Sequence, residues 1–469
     1  MIKFLFFDYR DVEIAQGFTR QFHAPRKRAG APLLRADLPS EVNLMSFYGT
    51  VIRRPTDGLW QLWYKCYNPN DRGPALAYAH STDGIAWERP VLDLVKFQGQ
   101  GTNILFDGAP HGTAVIYDEH EPRPGWKYKL VHGAKPTQRV AGFRSADGIH
   151  WVPAGENPAL GVTSGGPVGL MRAMDGRYVL YIRPIEMDRR VARSESWDFI
   201  HWTEPRVVID QQPDDPPQVQ YYGMQAAPYG AYELGILWMW LTKTDDLTFF
   251  KNRGLLFSEL AYSRSGWSWR RAAAGTPFIP IGEAGAWDGG QIHPASLPVF
   301  LDNEIRFYYS AASVPHEIST RGDAEPKWGI SYASIGPDRF ISLNAGDGEA
   351  ELLTRPFWTE AGEFYANAQI AAGGSLRAEV TDLEGKALEG FALADAAPVQ
   401  GDSVRHRLSW RGKGKPADAA NRQIRLRVRV KKAALYALSA GKESEGKDYW
   451  RFRIPHALPM EQEKNLLGM

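Results

Sequence analysis

Short runs in which apolar and polar residues alternate fill most of the first 345 positions of this chain. One such run places Leu76, Tyr78 and His80 on one side and leads into the turn at 81–84. An alternation of period two predicts a β-strand. In the turn, Ser and Asp side chains bond backbone amides and Gly supplies a positive φ. The pattern predicts an all-β protein of short strands joined by tight turns.

The strand-and-turn phrase recurs along the chain. Its copies are LAYAHSTDGIAWERP (76–90), VAGFRSADGIHWVPA (140–154), VARSESWDFIHWTEP (191–205), LAYSRSGWSWRRA (260–272) and, in degenerate form, ISYASIGPDRFISL (330–343). The tryptophans at 87, 151, 202 and 269 are 64, 51 and 67 residues apart. That spacing matches a four-stranded sheet with its loops. The Asp residues that recur in these turns, such as Asp83 and Asp147, are predicted to stabilise the turns.

A second strand pattern, ending in aromatic residues, precedes each copy. It reads LWQLWYKCY (59–67), WKYKLVHGA (126–134), GRYVLYIRP (176–184), ELGILWMWL (233–241) and NEIRFYYSA (303–311). An inner-strand pattern stands before that, as in YGTVIRR (48–54) and GTAVIYD (112–118). An isolated four-stranded sheet has two bare faces and must bury them on its neighbours. Five such units predict a five-bladed β-propeller over residues 1–345.

The repeat stops at about residue 346. Two strands flank the turn 382–385, and the segment 422–432 alternates arginines with Ile and Val, so that its arginines form a solvated face. Alternation with Gly-rich turns predicts a β-sandwich over residues 346–440. Residues 441–469 are predicted to be a docked extension with a loose end.

The amino-acid composition limits the classes of molecule that the protein is expected to bind. The 55 basic and 54 acidic side chains balance, so no nucleic-acid or membrane partner is expected. Cys66 is the single cysteine, which rules out an internal disulfide and indicates a packed thiol. The apolar run before Asp8 is too short for a signal peptide, so a cytoplasmic location is expected unless a leader has been removed. The 16 Trp, 20 Tyr and 21 Phe suit a carbohydrate partner, because indole and phenol faces stack on sugar rings.

The turn in SESWDFIHW (194–202) closely resembles the Ser-x-Asp turn of glycoside hydrolase families 32 and 43, the furanosidase propellers, and the copies at Ser81 and Ser145 are similar to it. The likeness covers roughly residues 40–345. The sialidase Asp-box is also similar, but it has an extra residue between Asp and Gly and marks six-bladed propellers. The resemblance to the furanosidases implies five blades, a sugar site at the propeller axis, and a C-terminal module that packs on the propeller.

Glycoside hydrolysis needs two carboxyl groups that flank the scissile bond. The candidates for these two groups are therefore carboxylates that lie near an inner strand and do not recur in the other copies of the repeat. Glu41 precedes the first inner strand, where the resemblance implies a nucleophile or base; a solvated loop carboxylate is the alternative. Asp288, between glycines that allow close approach of a substrate, forms with Gln291 and His293 the densest polar cluster before an apolar strand. Glu41 and Asp288 are the predicted catalytic pair, with their roles interchangeable.

Two further carboxylates are candidates. Asp118 ends the second inner strand and corresponds, by the resemblance, to a substrate-orienting Asp; a turn residue is the alternative. Glu186 stands near Arg183 and Arg189, where an ion pair with a lowered pKa is the alternative. In the resembling families the acid Glu begins the third blade, whereas here GVTSGGPVGLMRAMD has no carboxylate before Met171. Either Glu186 supplies the acid or the protein no longer hydrolyses glycosides.

Cations and aromatic residues complete the predicted site. Arg183, Arg189, His293 and His316 suit an anion such as a uronate or inorganic phosphate. The predicted substrate-binding residues are Arg183, Arg189, Tyr222, Gln225, Gln291 and His293. No phosphate-loop, dinucleotide or zinc motif appears, so no cofactor and no metal are expected. The leading prediction is a glycoside hydrolase that acts on a furanoside or related oligosaccharide. A non-catalytic glycan-binding propeller and a sugar phosphorylase are the alternatives.

Overall fold

The structure is a computed structural model of the whole chain. It describes residues 1–41, 44–67, 70, 73–106, 110–134, 139–156, 159–166, 169–184, 189–242, 254–316, 326–412 and 415–442. Over these residues the protein is nearly all β, as the alternation predicts, and its helical elements are the short 3-10 turns Pro39–Glu41, Pro124–Trp126 and Pro416–Ala419. The described part contains no helix with the length and hydropathy that a membrane crossing needs.

Five groups of mainly antiparallel strands occupy the part of the chain that carries the repeat. The first group contains Ser46–Arg53, Trp60–Tyr67, Pro74–Ser81 and Ile104–Phe106, and the second Pro110–Tyr117, Tyr128–Ala134, Arg139–Ser145, Val152–Pro153 and Ala159–Thr163. The third contains Gly169–Arg172, Tyr178–Ile182, Val191–Ser196 and Arg206–Ile209, and the fourth Val219–Tyr229, Tyr232–Thr242, Gly254–Ser263 and Arg270–Arg271. The fifth contains Gln291–Pro294, Val299–Phe300, Ile305–Ala312 and Trp328–Ile335. A small hairpin, Lys96–Phe97 with Gln100–Gly101, lies outside these groups.

Two short strands from the start of the chain complete the fifth group. Arg26–Lys27 and Leu34–Arg35 both pair with Trp328–Ile335, its last strand in sequence. Strands from the beginning and from the end of the repeat-containing part of the chain therefore lie in one sheet. A parallel pairing between Leu256 and Gln291 also joins the fourth group to the fifth.

The first strands of successive groups contact one another in chain order. Ser46–Arg53 contacts Pro110–Tyr117, which contacts Gly169–Arg172, which in turn contacts Val219–Tyr229. Gln291–Pro294 contacts both the fourth group and Ser46–Arg53. The apolar faces of neighbouring groups bury one another, with Trp63 and Tyr128 between the first and second groups.

The recurring turn has the hydrogen bonds that its sequence predicts. In the first group the Ser81 hydroxyl donates to Asp83 Oδ1 at 2.9 Å, and the amides of Ile85 and Ala86 donate to the same oxygen at 2.7 and 2.8 Å. Gly84 follows with a φ of 73°. The turns at Ser145 and Ser196 repeat these bonds, so their aspartates stabilise turns as expected.

A separate nine-stranded sheet, here called the terminal sheet, unites both ends of the described chain. It contains Ile2–Leu5, Val12–Gln16, Phe18–Phe22, Ile341–Ala345, Ala350–Thr354, Phe357–Thr359, Phe364–Thr381, Gly401–Arg407 and Arg422–Ala440. The domain division predicted from the repeat assigns residues 1–22 to the propeller. In the structure the strands of these residues pair within the terminal sheet. The repeat carries no information about those residues because they have no copy of it.

The arginine-rich segment forms the strand Arg422–Ala440, as predicted. Its Ile and Val side chains are buried, whereas Arg425, Arg427 and Arg429 lie on the other face. Each of these arginines pairs with a carboxylate, for example Arg427 with Glu379. The predicted extension 441–469 lies, apart from residues 441 and 442, outside the described residues.

Candidate functional site

Aromatic and histidine side chains from three strand groups meet at the beginning of the first strands. In Tyr232–Thr242, alternation places Trp238 and Trp240 on one face, the face turned toward Tyr222 of the neighbouring strand. We call the full set the aromatic–histidine cluster: Tyr48, Tyr222, Trp238, Trp240, His293 and His316. All of its members are buried except His316, which is half-buried.

Ring contacts fix the aromatic part of this cluster. The Tyr222 and Trp238 rings stack with an interplanar angle of 3° and centroids 6.2 Å apart. The Trp240 ring meets Tyr222 edge-on at 5.8 Å. The Tyr48 hydroxyl lies 3.0 Å from the Tyr222 hydroxyl. Aromatic pairs in these geometries are mutually stabilising, so the cluster is a tightly packed, buried unit.

Gln291 orients the two histidines. Its Nε2 donates to the carbonyl of Val314 at 2.9 Å, which fixes the amide so that Oε1 is the acceptor. That oxygen lies 2.8 Å from His293 Nε2 and 3.2 Å from His316 Nδ1, so both ring nitrogens must be donors. His293 therefore carries its proton on Nε2 and His316 carries its proton on Nδ1.

Both histidines are neutral at ordinary pH. Burial lowers the pKa of His293 well below its usual range, and the neighbouring His316 and Lys65 act in the same direction. Burial, followed by the charges of Arg189, Arg183 and Lys65, lowers the pKa of His316 to about 3. A neutral imidazole that donates through one nitrogen accepts through the other. Nδ1 of His293 therefore accepts from the Ser46 hydroxyl, 3.4 Å away, and Nε2 of His316 is an acceptor.

Three cationic side chains border the cluster. The Arg183 guanidinium lies 4.7 Å from the Tyr222 ring centroid, and the Arg189 guanidinium lies 4.3 Å from that of Trp240. The Lys65 ammonium lies 5.0 Å from the Tyr48 ring centroid. Each has the geometry of a cation–π contact. The cluster therefore offers aromatic faces, neutral imidazoles and positive charge side by side.

Most of the predicted binding residues meet here. Arg183, Arg189, Tyr222, Gln291 and His293 come from the third, fourth and fifth groups, yet all belong to the cluster or contact it. Gln225, the remaining predicted binding residue, is buried further along the strand of Tyr222 and packs against Gly169.

Glu41 is enclosed elsewhere. It ends the 3-10 turn Pro39–Glu41 and is fully buried. Its carboxylate accepts hydrogen bonds from the Tyr64 hydroxyl at 2.6 Å and from Arg89 at 3.1 Å. Burial raises the pKa of Glu41, against the opposing effects of the Tyr64 hydrogen bond and the Arg89 charge. A carboxylate held this way anchors the chain that enters the first group, and the catalytic role of Glu41 stays a prediction.

Asp288 is also an anchor. Its Oδ2 lies 2.7 Å from the ammonium of Lys27, in the strand Arg26–Lys27 that completes the fifth group. The Tyr309 hydroxyl also bonds to it, and Gly282 packs directly against its carboxylate. Among the described residues, Glu41 and Asp288 share no hydrogen-bond partner, because Glu41 is bound by Tyr64 and Arg89 whereas Asp288 is bound by Lys27 and Tyr309. The glycine that approaches this carboxylate is Gly282, which is not one of the flanking glycines that suggested an open approach.

Asp118 lies at the opposite end of its strand from the cluster. It lines a cavity of about 920 Å³, whose wall is mostly apolar and includes Leu297 and Phe300. Its carboxylate is bound by Arg172, by the Tyr178 hydroxyl at 2.7 Å and by buried Lys129 at 3.4 Å. Asp118 is therefore more than the turn residue that sequence suggested, because it is the centre of a buried ion network.

Glu186, the fourth predicted catalytic residue, lies outside the described residues. Sequence reasoning did not single out Tyr48, Lys65, Trp238 or Trp240. A signal for the two tryptophans was present: the segment WMW puts two indoles on one face of the predicted strand. Among the described residues, no group of three or more His, Cys, Asp or Glu side chains is arranged to hold a metal ion.

No family model matches the sequence, and no curated protein matches it either. Among solved structures, the chain is similar to the catalytic domain of a family 62 α-L-arabinofuranosidase from Coprinopsis cinerea, with 14% identity and a TM-score of 0.44 over 66% of this chain and 97% of that one. It is similar to an N-acetylgalactosamine deacetylase from F. plautii in complex with blood group B trisaccharide, with 14% identity and a TM-score of 0.45 over 67% of this chain and 95% of that one.

A third similar structure belongs to glycoside hydrolase family 130, described as a family of mannoside phosphorylases that contains hydrolases of β-1,2-mannosidic linkages. Its identity is 16% and its TM-score 0.39, over 69% of this chain and 95% of that one. Glycoside hydrolases thus recur among the similar structures, as the turn motif suggested.

Proposed function

We propose that this protein is a glycoside hydrolase whose sugar-binding site is built around the buried aromatic–histidine cluster. The observation that carries the proposal is the stack of Tyr222 on Trp238 beside the neutral His293–Gln291–His316 network. Apolar C–H faces of a sugar stack on aromatic rings, and a neutral imidazole such as that of His316 has a nitrogen of the kind that accepts hydrogen bonds from sugar hydroxyls. The resemblance in the turn motif favours a furanoside or a related oligosaccharide.

We infer further that the five strand groups are the blades of a five-bladed propeller. The chain-order contacts among first strands, and the closure of the fifth group by Arg26–Lys27 and Leu34–Arg35, support this. On this interpretation the propeller spans about residues 26–335. The terminal sheet is then the second domain, and we propose that the shift of register between Ile370 and Ser375 folds it into a two-layered sandwich.

The chemistry requires two carboxyl groups, and Glu41, Asp288 and Asp118 are each held in other networks. We propose that Glu186 supplies the general acid. In the sequence it stands between Arg183 and Arg189, whose guanidinium groups both lie over the Tyr222 ring. The Glu186 carboxyl group donates its proton to the leaving oxygen as the glycosidic bond breaks, and water forms the new bond to the anomeric carbon. The proton that this water loses returns to the Glu186 carboxylate.

The test is turnover of aryl furanosides, aryl pyranosides and natural oligosaccharides by the wild-type protein and by the Glu186→Gln variant. Loss of a general acid should lower kcat for natural substrates by about 100-fold or more. A dinitrophenyl glycoside, whose leaving group needs no proton, should lose much less. Glu88→Gln, at a highly exposed carboxylate, is the matched control. Undiminished turnover by Glu186→Gln contradicts the assignment, and sugar binding without any product contradicts hydrolysis.

A sugar phosphorylase is the second candidate. The observation that favours it is the convergence of Arg183, Arg189 and Lys65 on His316, whose pKa all three lower. Guanidinium groups suit phosphate oxygens. Product formation that requires added inorganic phosphate, and that yields a sugar phosphate, would favour this candidate. Product formation in phosphate-free buffer favours hydrolysis.

A further inference from the structure

Two indoles stand out on the surface at the end of the molecule opposite the aromatic–histidine cluster. Trp197 is 71% exposed and Trp267 is 39% exposed. They belong to the recurring turns of the third and fourth strand groups, which follow Val191–Ser196 and Gly254–Ser263. Large exposed indoles expose apolar area to water, so their position calls for an explanation.

The turn itself does not need an indole. The equivalent of Trp197 is Thr82 in the first group and Ala146 in the second. The Ser-to-Asp hydrogen bond is nevertheless the same in all three turns, at 2.9, 2.9 and 3.0 Å. Trp197 is therefore not required for the local fold.

A network of ion pairs, here called the ladder, contacts both indoles; it consists of Asp175, Arg177, Glu195, Arg193 and Glu233. Arg177 lies 5.7 Å from the Trp197 ring centroid, and Arg193 lies 5.3 Å from that of Trp267. Glu195 joins the two arginines, since it pairs with both. The indoles are thus held on neighbouring groups by one continuous network.

The ladder continues at both ends. Arg177 Nε donates to Asp175 at 2.8 Å, and Arg193 donates to Glu233 at 2.7 Å. Three carboxylates therefore surround two guanidinium groups, so the surface carries no excess of positive charge. Asp175 also lines the cavity of about 920 Å³ that opens at this end. The indole surface and the cavity are adjoining parts of one face.

We propose that Trp197 and Trp267 form a second glycan-binding surface, which holds a neutral oligosaccharide chain beside this cavity. Flat indoles fixed by guanidinium groups lose little freedom when a sugar ring stacks on them. The acidic balance of the ladder disfavours phosphate, nucleic acid and uronate. The choice of a glycan as ligand rests on the proposed function, whereas the surface is separate from the proposed catalytic end.

Affinity gel electrophoresis in soluble arabinan, xylan, mannan and levan tests this proposal. We expect at least one of these polysaccharides to retard the wild-type protein. The Trp197→Ala/Trp267→Ala double variant should bind it about tenfold more weakly. The Thr82→Ala/Ile85→Ala double variant, altered at the equivalent turn positions of the first group, should bind like the wild type. Circular dichroism verifies that each variant is folded.

Two electrophoresis results would overturn the proposal: no retardation of the wild type by any of the four polysaccharides, or equal retardation of the wild type and the tryptophan variant. A third contrary result would be that the wild type binds phosphatidylcholine vesicles and the tryptophan variant does not, because the indoles would then contact lipid and not a glycan. Turnover of a short aryl glycoside separates this surface from the catalytic site. The tryptophan variant should retain it in full. A protein that hydrolyses the aryl glycoside but does not bind polysaccharide through these indoles refutes only the second surface. One that binds through them but never hydrolyses refutes only the proposed function.

Discussion

The phenolic oxygen of Tyr48 lies 3.0 Å from that of Tyr222, and this hydrogen bond joins the first strand group to the fourth. The two residues are 174 positions apart. Both rings are buried, and each also packs against Trp238. The aromatic–histidine cluster is therefore held by contacts between strand groups, and its geometry depends on how the strand groups are arranged.

Truncation of Tyr222 should damage activity through the lost ring rather than the lost hydroxyl. We expect Tyr222→Ala to lower kcat/KM by about 10- to 100-fold, because the stacking face and its packing on Trp238 disappear. Tyr222→Phe, which keeps the ring and removes only the bond to Tyr48, should change kcat/KM by less than about threefold. Steady-state kinetics on the best substrate gives both values. Equal losses in the two variants would show that the hydroxyl, and not the ring, carries the effect.

The neutral histidines should make stability depend on pH. Their pKa values are lowered in the folded protein, so the unfolded chain binds more protons below about pH 6.5. The contribution of the two neutral histidines to the free energy of unfolding is complete above that pH. It is lost as the pH falls toward the pKa of the folded state, which is about 3 for His316. We expect the free energy of unfolding to fall by about 1–2 kcal/mol per histidine between pH 7 and pH 5. Urea denaturation at the two pH values measures it.

The His316→Gln variant provides the control for this pH dependence. It removes one titrating ring while retaining a side chain that can donate to Gln291. The difference in unfolding free energy between pH 7 and pH 5 should then shrink by the share that His316 contributes. An unchanged difference would place the acid sensitivity in other groups.

Period-two alternation and a repeated turn predicted much of the strand pattern, because both are local properties. The bonds of Ser81 to Asp83 follow from four consecutive residues, and the buried face of Arg422–Ala440 follows from alternation alone. The pairing of Ile2–Leu5 with Arg422–Ala440 joins residues more than 400 positions apart, and no local pattern encodes it. Such non-local pairing explains why the division of the N-terminal residues was not predictable.

The candidate site was predictable in part for a similar reason. Gln291 and His293 share one short strand, so their meeting follows from spacing. Whether a carboxylate faces solvent or an ion partner depends on distant residues. Asp288 meets Lys27 from 261 positions away, and Glu41 meets Arg89 from 48 positions away. A buried carboxylate between glycines or beside a 3-10 turn looks the same in sequence as a catalytic one.

Neutralising Glu41 should therefore cost stability rather than chemistry. In Glu41→Gln the buried carboxylate that accepts from Tyr64 and Arg89 is lost, so we expect the free energy of unfolding to fall by about 1–3 kcal/mol. Turnover per folded molecule should stay at the wild-type level. Asp37→Asn is the matched control, since Asp37 is the exposed second partner of Arg89 and should matter by less than about 1 kcal/mol. Loss of turnover in a stably folded Glu41→Gln protein would restore Glu41 as a catalytic residue.

Asp118 should be the most sensitive of the predicted carboxylates to neutralisation. It faces Arg172, Tyr178 and Lys129, and the Lys129 ammonium is fully buried. Burial lowers the pKa of Lys129 to about 8, against the attraction of Glu121. The Asp118 carboxylate lies 3.4 Å from the same ammonium, so Asp118→Asn removes a second negative charge beside this lysine. Breaking a buried pair costs about 3–5 kcal/mol, and denaturant unfolding should show a loss of that size.

The Asp57→Asn variant, whose exposed carboxylate pairs with Arg54, is the comparison for Asp118 and should unfold at nearly the same denaturant concentration as the wild type. The pH dependence of the loss distinguishes the buried network from a general weakening. Without Asp118 the pKa of Lys129 should fall further, so more of the buried lysine is neutral at pH 8 and the stability deficit relative to wild type should be smaller there than at pH 6. A deficit that is the same at both pH values would show that Lys129 does not depend on the charge of Asp118. A folded Asp118→Asn protein of wild-type stability but without turnover would instead place the reacting sugar in the cavity that Asp118 lines.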